Sequence, residues 1–329
     1  MVVAGCVRCA GPVYEDTAYS ELESVWQHLR VYSIYQWKDT SWIPPDPYRF
    51  SSPAALMMAI PDTINSKEHF TVYNISTFAD QSAEAAATVT AVDNGTVTVD
   101  TLTDSTVCVK ITGFAYESTA SEFMELLPAM APFPYLVIDL RGNTGGYIDQ
   151  VQPIIDAFLP EGEPYIHARE REYDRDTRTA RTVDHYWRTE KTAEYALVNK
   201  KVTVLMDRYS ASASEILIVA LKETSVNATL VGDSSYGKGI GQIEISRRNR
   251  PGMKITYLQL EGISKIGVYH KVRIGPDINL GAATDSPQAL LAAVRVHEPT
   301  RTVLRKSRSA TNDSRPVSTV VERFIEETE

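Results

Sequence analysis

From residue 106 onward, short apolar runs alternate with amphipathic segments. A short apolar run is typical of a strand buried on both faces, and apolar positions three or four residues apart are typical of a helix with one buried face. The predicted strands are Thr106–Phe114, Tyr135–Leu140, Val202–Asp207, Ala228–Asp233 and Lys254–Leu260. The predicted helices are Phe123–Met130, Gln150–Leu159, Ala213–Glu223 and Ser286–Val296. Strands that alternate with helices predict an α/β fold with a largely parallel sheet.

The N-terminal part has a different pattern. Tyr19–Tyr35 carries apolar residues at helical spacing, which predicts a helix. Ser52 and Pro53 follow a proline-rich connector and predict a second helix start, with the serine as cap and the proline in the first turn. Ala87–Val99 alternates around an Asn-Gly pair, which predicts a β-hairpin.

Three further segments complete the predicted organisation. Thr119-x-x-Glu122 has the spacing of a capping box before the helix at Phe123. The charged stretch Arg169–Lys191 predicts an exposed hairpin or loop, and the polar tail from Pro299 is expected to be mobile. The predicted segments are 1–18 as a leader or linker, 19–75 as a helical segment, 76–105 as a hairpin connector, 106–298 as the core, and 299–329 as the tail.

Composition limits the partners. The chain has 329 residues, of which 43% are hydrophobic and 23% charged, as is ordinary for a globular protein. The formal net charge of −9 argues against a nucleic-acid partner. No apolar run is long enough to predict an integral membrane span.

The three cysteines give little indication of a metal site. Cys6-x-x-Cys9 could be half of such a site or a small disulfide, but there is no second pair to complete a zinc site. Cys108 lies in an alternating run and is interpreted as a small core residue. Val3–Cys6 looks like the end of a bacterial lipoprotein signal, without the charged and long apolar parts of one, so a truncated signal and a coincidence both stay open.

Tyr209–Ile216, "YSASASEI", lies where a predicted strand turns into a predicted helix. Ser212 stands three residues before Glu215, so it could simply cap the helix in a capping box. Alternatively, Ser212 could be a nucleophile on a strand-to-helix turn, where the first helical amides can hold an oxyanion. The Gly-x-Ser-x-Gly signature of other serine hydrolases is missing.

Two glycine-rich turns accompany this serine. Lys238 lies between two glycines in "SYGKGIGQ", where it is either a solvated loop lysine or a base for the serine. Asp139–Gly146, "DLRGNTGG", follows a buried strand and is either an ordinary turn or a place where a backbone N–H is accessible. Neither turn has a phosphate-binding or dinucleotide-binding signature. The six histidines lie outside these motifs.

The ordered set "VIDLRGNTGG", "SASASEI" and "YGKGIGQ" resembles the C-terminal processing peptidases, or tail-specific proteases. "ALKETSVNATLVGDSSYGKG", "GPDI" at Gly275–Ile278 and "SIYQW…IPPDPYRFSSPAAL" extend the resemblance over most of residues 20–297. The resemblance implies a serine peptidase with a Ser–Lys dyad on a crotonase/ClpP-like α/β core, acting on polypeptides through an acyl-enzyme, with neither a metal nor an organic cofactor.

The resemblance assigns the family's site residues to matching positions in this sequence. The resemblance implies that Ser212 is the nucleophile, Lys238 the base, and Gln242 the residue that orients the lysine. The oxyanion would be held by the backbone N–H of Ala213 and of Gly146, or less favourably of Gly145. A free lysine has a pKa near 10.4, so a base working near neutral pH needs a pKa lowered by roughly three, which apolar burial can supply.

The sequence departs from the pattern of this family in one respect. Many relatives carry a PDZ domain before the core, but the segment between His69 and Thr106 is too short for one. Recognition of free C-termini is therefore in question. The alternatives are a non-catalytic peptide-binding or ligand-binding protein on the same fold and a hydrolase of another acyl bond. The resemblance, with Cys6 as a possible lipid anchor, leads us to expect a periplasmic, lipid-anchored or secreted protein.

Overall fold

The computed structural model describes residues 21–37, 41–64, 71–73, 95–174, 177, 179–190, 197–247 and 250–298. The chain divides into two compact units. The smaller unit takes residues 1–91, 168–185 and 240–260, and the larger takes 92–167, 186–239 and 261–329. The predicted leader, the tail and the first strand of the predicted hairpin lie outside the described residues.

The helices are α1 Glu21–Tyr32, α2 Pro53–Met58, α3 Thr119–Met130, α4 Ile148–Phe158, α5 Ala213–Glu223 and α6 Pro287–His297. The strands are β1 Val72–Tyr73, β2 Val97–Thr101, β3 Thr106–Ile111, β4 Tyr135–Asp139, β5 Pro164–Asp174, β6 Thr179–Arg188, β7 Lys201–Met206, β8 Thr229–Gly232, β9 Ile240–Arg247, β10 Arg250–Glu261 and β11 Ile278–Asn279. No helix in the described part of the chain has the length and apolar character needed to cross a membrane.

The larger unit is built on a six-stranded sheet in the order β11-β8-β7-β4-β3-β2. Neighbouring strands from β11 to β3 are parallel, and only β2 is antiparallel to its neighbour. The predicted α/β fold with a largely parallel sheet is confirmed. Because β2 pairs with β3, this sheet begins before residue 106, inside the segment that was predicted to be a connector.

The sheet is buried by helices. On one face, Cys108, Val137, Leu205 and Val231 pack against apolar residues of α6. Because side chains alternate along a strand, residues such as Leu136, Ile138 and Val204 point to the opposite face, and all three are fully buried. The near-continuous apolar runs of the sequence are explained by this burial on both faces.

A second, five-stranded sheet was not predicted from the sequence. It has the order β1-β10-β5-β6, with β9 also paired to β10. The charged stretch Arg169–Lys191 lies largely in β5 and β6, which are neighbours in this sheet, and this agrees with the predicted hairpin rather than with a loop. The loop expected at Ser234–Gln242 ends earlier, because β9 already begins at Ile240 and pairs antiparallel with β10. The sequence of β9 mixes polar and apolar residues, so no strand was predicted there.

Two predicted helix starts have different outcomes. Ser52 caps α2 as predicted, since its Oγ accepts the N–H of Ala55 at 3.1 Å. The capping box at Thr119 is wrong, because the helix already begins at Thr119. The Glu122 carboxylate instead accepts the hydroxyls of Thr96 and Ser118 at 2.8 and 2.6 Å.

Candidate active site

Three turns at the carboxyl ends of adjacent parallel strands carry the motifs. Residues 140–147 follow β4, residues 207–212 follow β7, and residues 233–239 follow β8. These strands are neighbours in the sheet, so their carboxyl ends lie along one edge. Ligands of open α/β sheets commonly bind at this edge.

Ser212 lies at the sharp turn from β7 into α5. Its backbone has φ 57° and ψ −115°, a conformation that a residue with a Cβ rarely adopts. Such strain persists only where the surroundings hold it, and it is concentrated at functional sites. Ser212 is only partly buried, whereas Ser210 and Ser214 are fully buried. Of the three serines, only Ser212 is thus accessible from solvent.

The glycine turn packs directly against this serine. A Cβ on Gly145 would lie 2.8 Å from the Cβ of Ser212 and 2.5 Å from the carbonyl oxygen of Ala211. A Cβ on Gly146 would lie 2.1 Å from the backbone carbon of Phe114. Both glycines also have positive φ, of 93° and 148°. Only glycine lets the backbone come this close.

The backbone amides near Ser212 differ in their partners. The Gly145 N–H donates to Oδ1 of Asn143 at 2.9 Å, and Gly145 is buried. Within the described part of the chain, no acceptor is found for the N–H of Gly146 or of Ala213, and Gly146 is exposed. An oxyanion is commonly held by two backbone N–H donors, and that role of the Ala213 and Gly146 amides stays a prediction.

Glu215 connects the serine to the lysine turn. Its carboxylate is fully buried, and Oε2 accepts the N–H groups of both Ser212 at 2.9 Å and Lys238 at 2.7 Å. Oε1 accepts the Ser235 hydroxyl at 2.6 Å and the Gly237 N–H at 2.7 Å. Burial raises the pKa of Glu215, while these four hydrogen bonds oppose that rise.

The two outer serines of the motif join the turns to each other. Ser210 Oγ donates to the Leu140 carbonyl, and Ser214 Oγ donates to the Asn143 carbonyl, each at 2.9 Å. Asp207 adds a third link, since its Oδ2 accepts the Gly142 N–H at 3.0 Å. These links were not predicted from the sequence. A polar residue that ends an apolar strand, as Asp207 does, was the available signal.

Residues 105–280, more than half of the chain, match the model of peptidase family S41. The chain belongs to this family. It is 37% identical over 145 residues to the carboxy-terminal processing protease CtpB of Bacillus subtilis, covering 43% of this chain and 27% of that protein. It is 27% identical over 147 residues to a CtpA-like serine protease of Staphylococcus epidermidis, covering 44% and 27%. The resemblance to the C-terminal processing peptidases is thereby confirmed.

The matched relatives are much longer than the match, which spans 27% of their length. A lipoprotein from Streptococcus agalactiae shares the fold, with a TM-score of 0.56 and 11% identity over 84% of this chain and 94% of that one. At this identity the likeness concerns the fold alone.

The other two predicted catalytic residues of this S41 chain are Lys238 and Gln242. Lys238 is half-buried, and its backbone is held by Glu215. Gln242 lies in the smaller unit, on β9, opposite Thr256 of β10, and its orienting role stays a prediction. Within the described ranges, no group of three or more His, Cys, Asp or Glu side chains is arranged to hold a metal ion.

Proposed function

We propose that this chain is a serine endopeptidase that cleaves unfolded or C-terminal segments of proteins through Ser212 and Lys238. The observation that carries the proposal is the shared acceptor: the amides of Ser212 and Lys238 donate to the same oxygen of Glu215. The backbones of the nucleophile and the base are thereby within two hydrogen-bond lengths of each other. The strained Ser212 backbone and the accessible Gly146 amide also support it.

In the proposed reaction, Lys238 in its neutral form takes the proton from Ser212 as Oγ attacks the peptide carbonyl. The oxyanion is held by the N–H groups of Ala213 and Gly146. The lysine then gives the proton to the departing amine, which leaves an acyl-enzyme. Water activated by Lys238 releases the acyl group and restores the serine. Gln242 is proposed to orient the lysine.

The test is degradation of casein near pH 8 by the wild type, Ser212→Ala and Lys238→Ala. Both variants should lose the activity. Ser121→Ala and Lys265→Ala serve as matched controls, because both residues are exposed and lie outside the three turns, and both should cut as the wild type does. Activity in Lys238→Ala equal to the wild type would refute the dyad. Binding of casein without cleavage by the wild type would favour a non-catalytic binding protein.

Hydrolysis of small esters tests a third possible function, that of a hydrolase of another acyl bond. Turnover of esters without cleavage of any polypeptide would favour a hydrolase of another acyl bond. The polypeptide substrates follow from the peptidase family. Recognition of a free C-terminus is tested by comparing casein-derived peptides that carry free and amidated C-termini.

We also propose a cell-envelope location, periplasmic or lipid-anchored through Cys6, or secretion. The support is the resemblance of Val3–Cys6 to the end of a lipoprotein signal. Mass spectrometry of the natural protein should find acylation at Cys6 if the chain is anchored. An unmodified protein in the cytoplasm would refute export.

A further inference from the structure

Asn143 lies in the glycine turn of the candidate site, where it contacts both β3 and the serine turn. Its side chain is fully buried. Nδ2 donates to the Ile111 carbonyl at the end of β3, and Oδ1 accepts the Gly145 N–H, both at 2.9 Å. Its main-chain carbonyl accepts the Ala211 N–H at 3.0 Å and the Ser214 hydroxyl at 2.9 Å. One residue therefore links β3, the glycine turn and the serine turn.

The side-chain amide suits this place chemically. A carboxylate could accept from Gly145 but could not donate to Ile111, and a hydroxyl is too short to span both partners. Because the group is buried, a lost partner would leave a donor or an acceptor unsatisfied. The orientation of the amide is fixed by these two partners, since the carbonyl of Ile111 needs a donor and the N–H of Gly145 needs an acceptor.

We propose that Asn143 is a positioning residue that decides which glycine amide holds the oxyanion. It binds the Gly145 N–H, so that this amide turns away from the substrate and the exposed Gly146 N–H is presented beside Ser212. Its main-chain carbonyl fixes the glycine turn to the serine turn, so that donor and nucleophile keep their separation. The inference rests on the proposed peptidase function and adds a residue to it.

The assignment requires that the two amides respond differently to an oxyanion. A peptide aldehyde adds to a serine hydroxyl and gives a hemiacetal whose oxygen occupies the oxyanion position, whereas the matching peptide acid does not. With [¹⁵N]glycine-labelled protein, the Gly145 amide should exchange slowly in the unliganded protein and the Gly146 amide quickly. The aldehyde should protect Gly146 and leave Gly145 unchanged. This measurement needs no substitution that could impair folding.

Substitution gives the second test. Asn143→Ala should weaken aldehyde binding by about 10-fold to 100-fold, as expected for a displaced oxyanion donor. Binding of the peptide acid should change much less, and kcat should fall more than KM rises. Gln150→Ala is the matched control. Gln150 is also a buried amide, and its Oε1 accepts the Ala120 N–H at 3.1 Å. Its loss should lower stability but keep the ratio of aldehyde to acid affinity.

Two results would overturn the inference. One is protection of Gly145 rather than Gly146 when the aldehyde binds. The other is an unchanged ratio of aldehyde to acid affinity in a folded Asn143→Ala protein. If the wild type forms no aldehyde adduct and Ser212→Ala behaves identically, the proposed peptidase function fails instead. The two failures are therefore distinguishable.

Discussion

Ser212 and Lys238 are linked through a single atom, since the backbone N–H groups of both donate to Oε2 of Glu215. The two residues come from turns that follow different strands. A carboxylate is an acceptor-only group with room for four donors, and here all four are backbone amides or a hydroxyl from the two turns. The spacing Ser-x-x-Glu in the sequence therefore does more than begin a helix.

Glu215→Gln should impair both activity and stability. Glutamine replaces one acceptor oxygen by a donor that faces other donors, so the loop with Lys238 should shift. We expect kcat to fall roughly 10-fold to 100-fold, because small misplacements have effects of this size. Unfolding free energy should fall by about 1–3 kcal/mol. Peptide hydrolysis and urea unfolding measure the two effects.

Glu223→Gln is the control for this prediction. Glu223 lies on the same helix, and its carboxylate accepts the N–H groups of Ser264, Lys265 and Ile266 in another loop. Its substitution should lower stability and leave kcat unchanged. Equal losses of kcat in the two variants would mean that Glu215 acts only through general stability.

The three glycines of the turn should respond unequally to alanine. Gly142 has φ 76°, and a Cβ added there would meet no atom within 4 Å, so Gly142→Ala should cost only the strain of positive φ, about 1 kcal/mol. Gly145→Ala and Gly146→Ala add overlaps with backbone at 2.5 and 2.1 Å. They should cost several kcal/mol, as at overpacked sites, and abolish activity. Similar denaturation midpoints for all three would contradict this close packing.

Substitutions of the three serines of "SASAS" should also differ in their effects on stability and activity. Ser210→Ala and Ser214→Ala each remove a buried hydrogen bond and should lower stability by about 1–3 kcal/mol. Ser212→Gly should instead raise the denaturation midpoint slightly, since glycine relieves the strain at φ 57°, while activity is lost. A destabilised Ser212→Gly would show that the serine side chain stabilises the turn.

Four strands of the parallel sheet, β3, β4, β7 and β8, were predictable because they are largely buried and read as apolar runs. The strand at Lys254–Leu260 was predicted, but its place in a second sheet was not, because much of that sheet pairs segments that are distant in sequence. Similarly, Ser212, Lys238 and the glycines could be found as motifs. The contacts of Asn143 could not be predicted, since its partners Ile111 and Ser214 are brought to it only by the fold.

Asp156 should make stability depend on pH. Burial raises the pKa of this carboxyl on α4 from 3.8 to about 6; the backbone N–H of Glu190 lowers it and the Glu190 charge raises it. As the pH rises from about 4 to 6, the unfolded chain releases its proton before the folded protein does. Stability is therefore lost over this window and stays lower above it.

Asp156→Asn removes this titration and keeps an oxygen that can accept the Glu190 N–H. At pH 7.5 it should raise the unfolding free energy by about 1 kcal/mol, a value reduced because the carboxyl is half-exposed and screened by solvent. Near pH 4 the variant and the wild type should be equal. Asp149→Asn, in the first turn of the same helix, should instead lower stability at pH 7.5, because it removes a charge that interacts favourably with the helix dipole. Urea unfolding at both pH values measures these differences, and a gain from Asp156→Asn of the same size at pH 4 would rule out the titration of Asp156 as its cause.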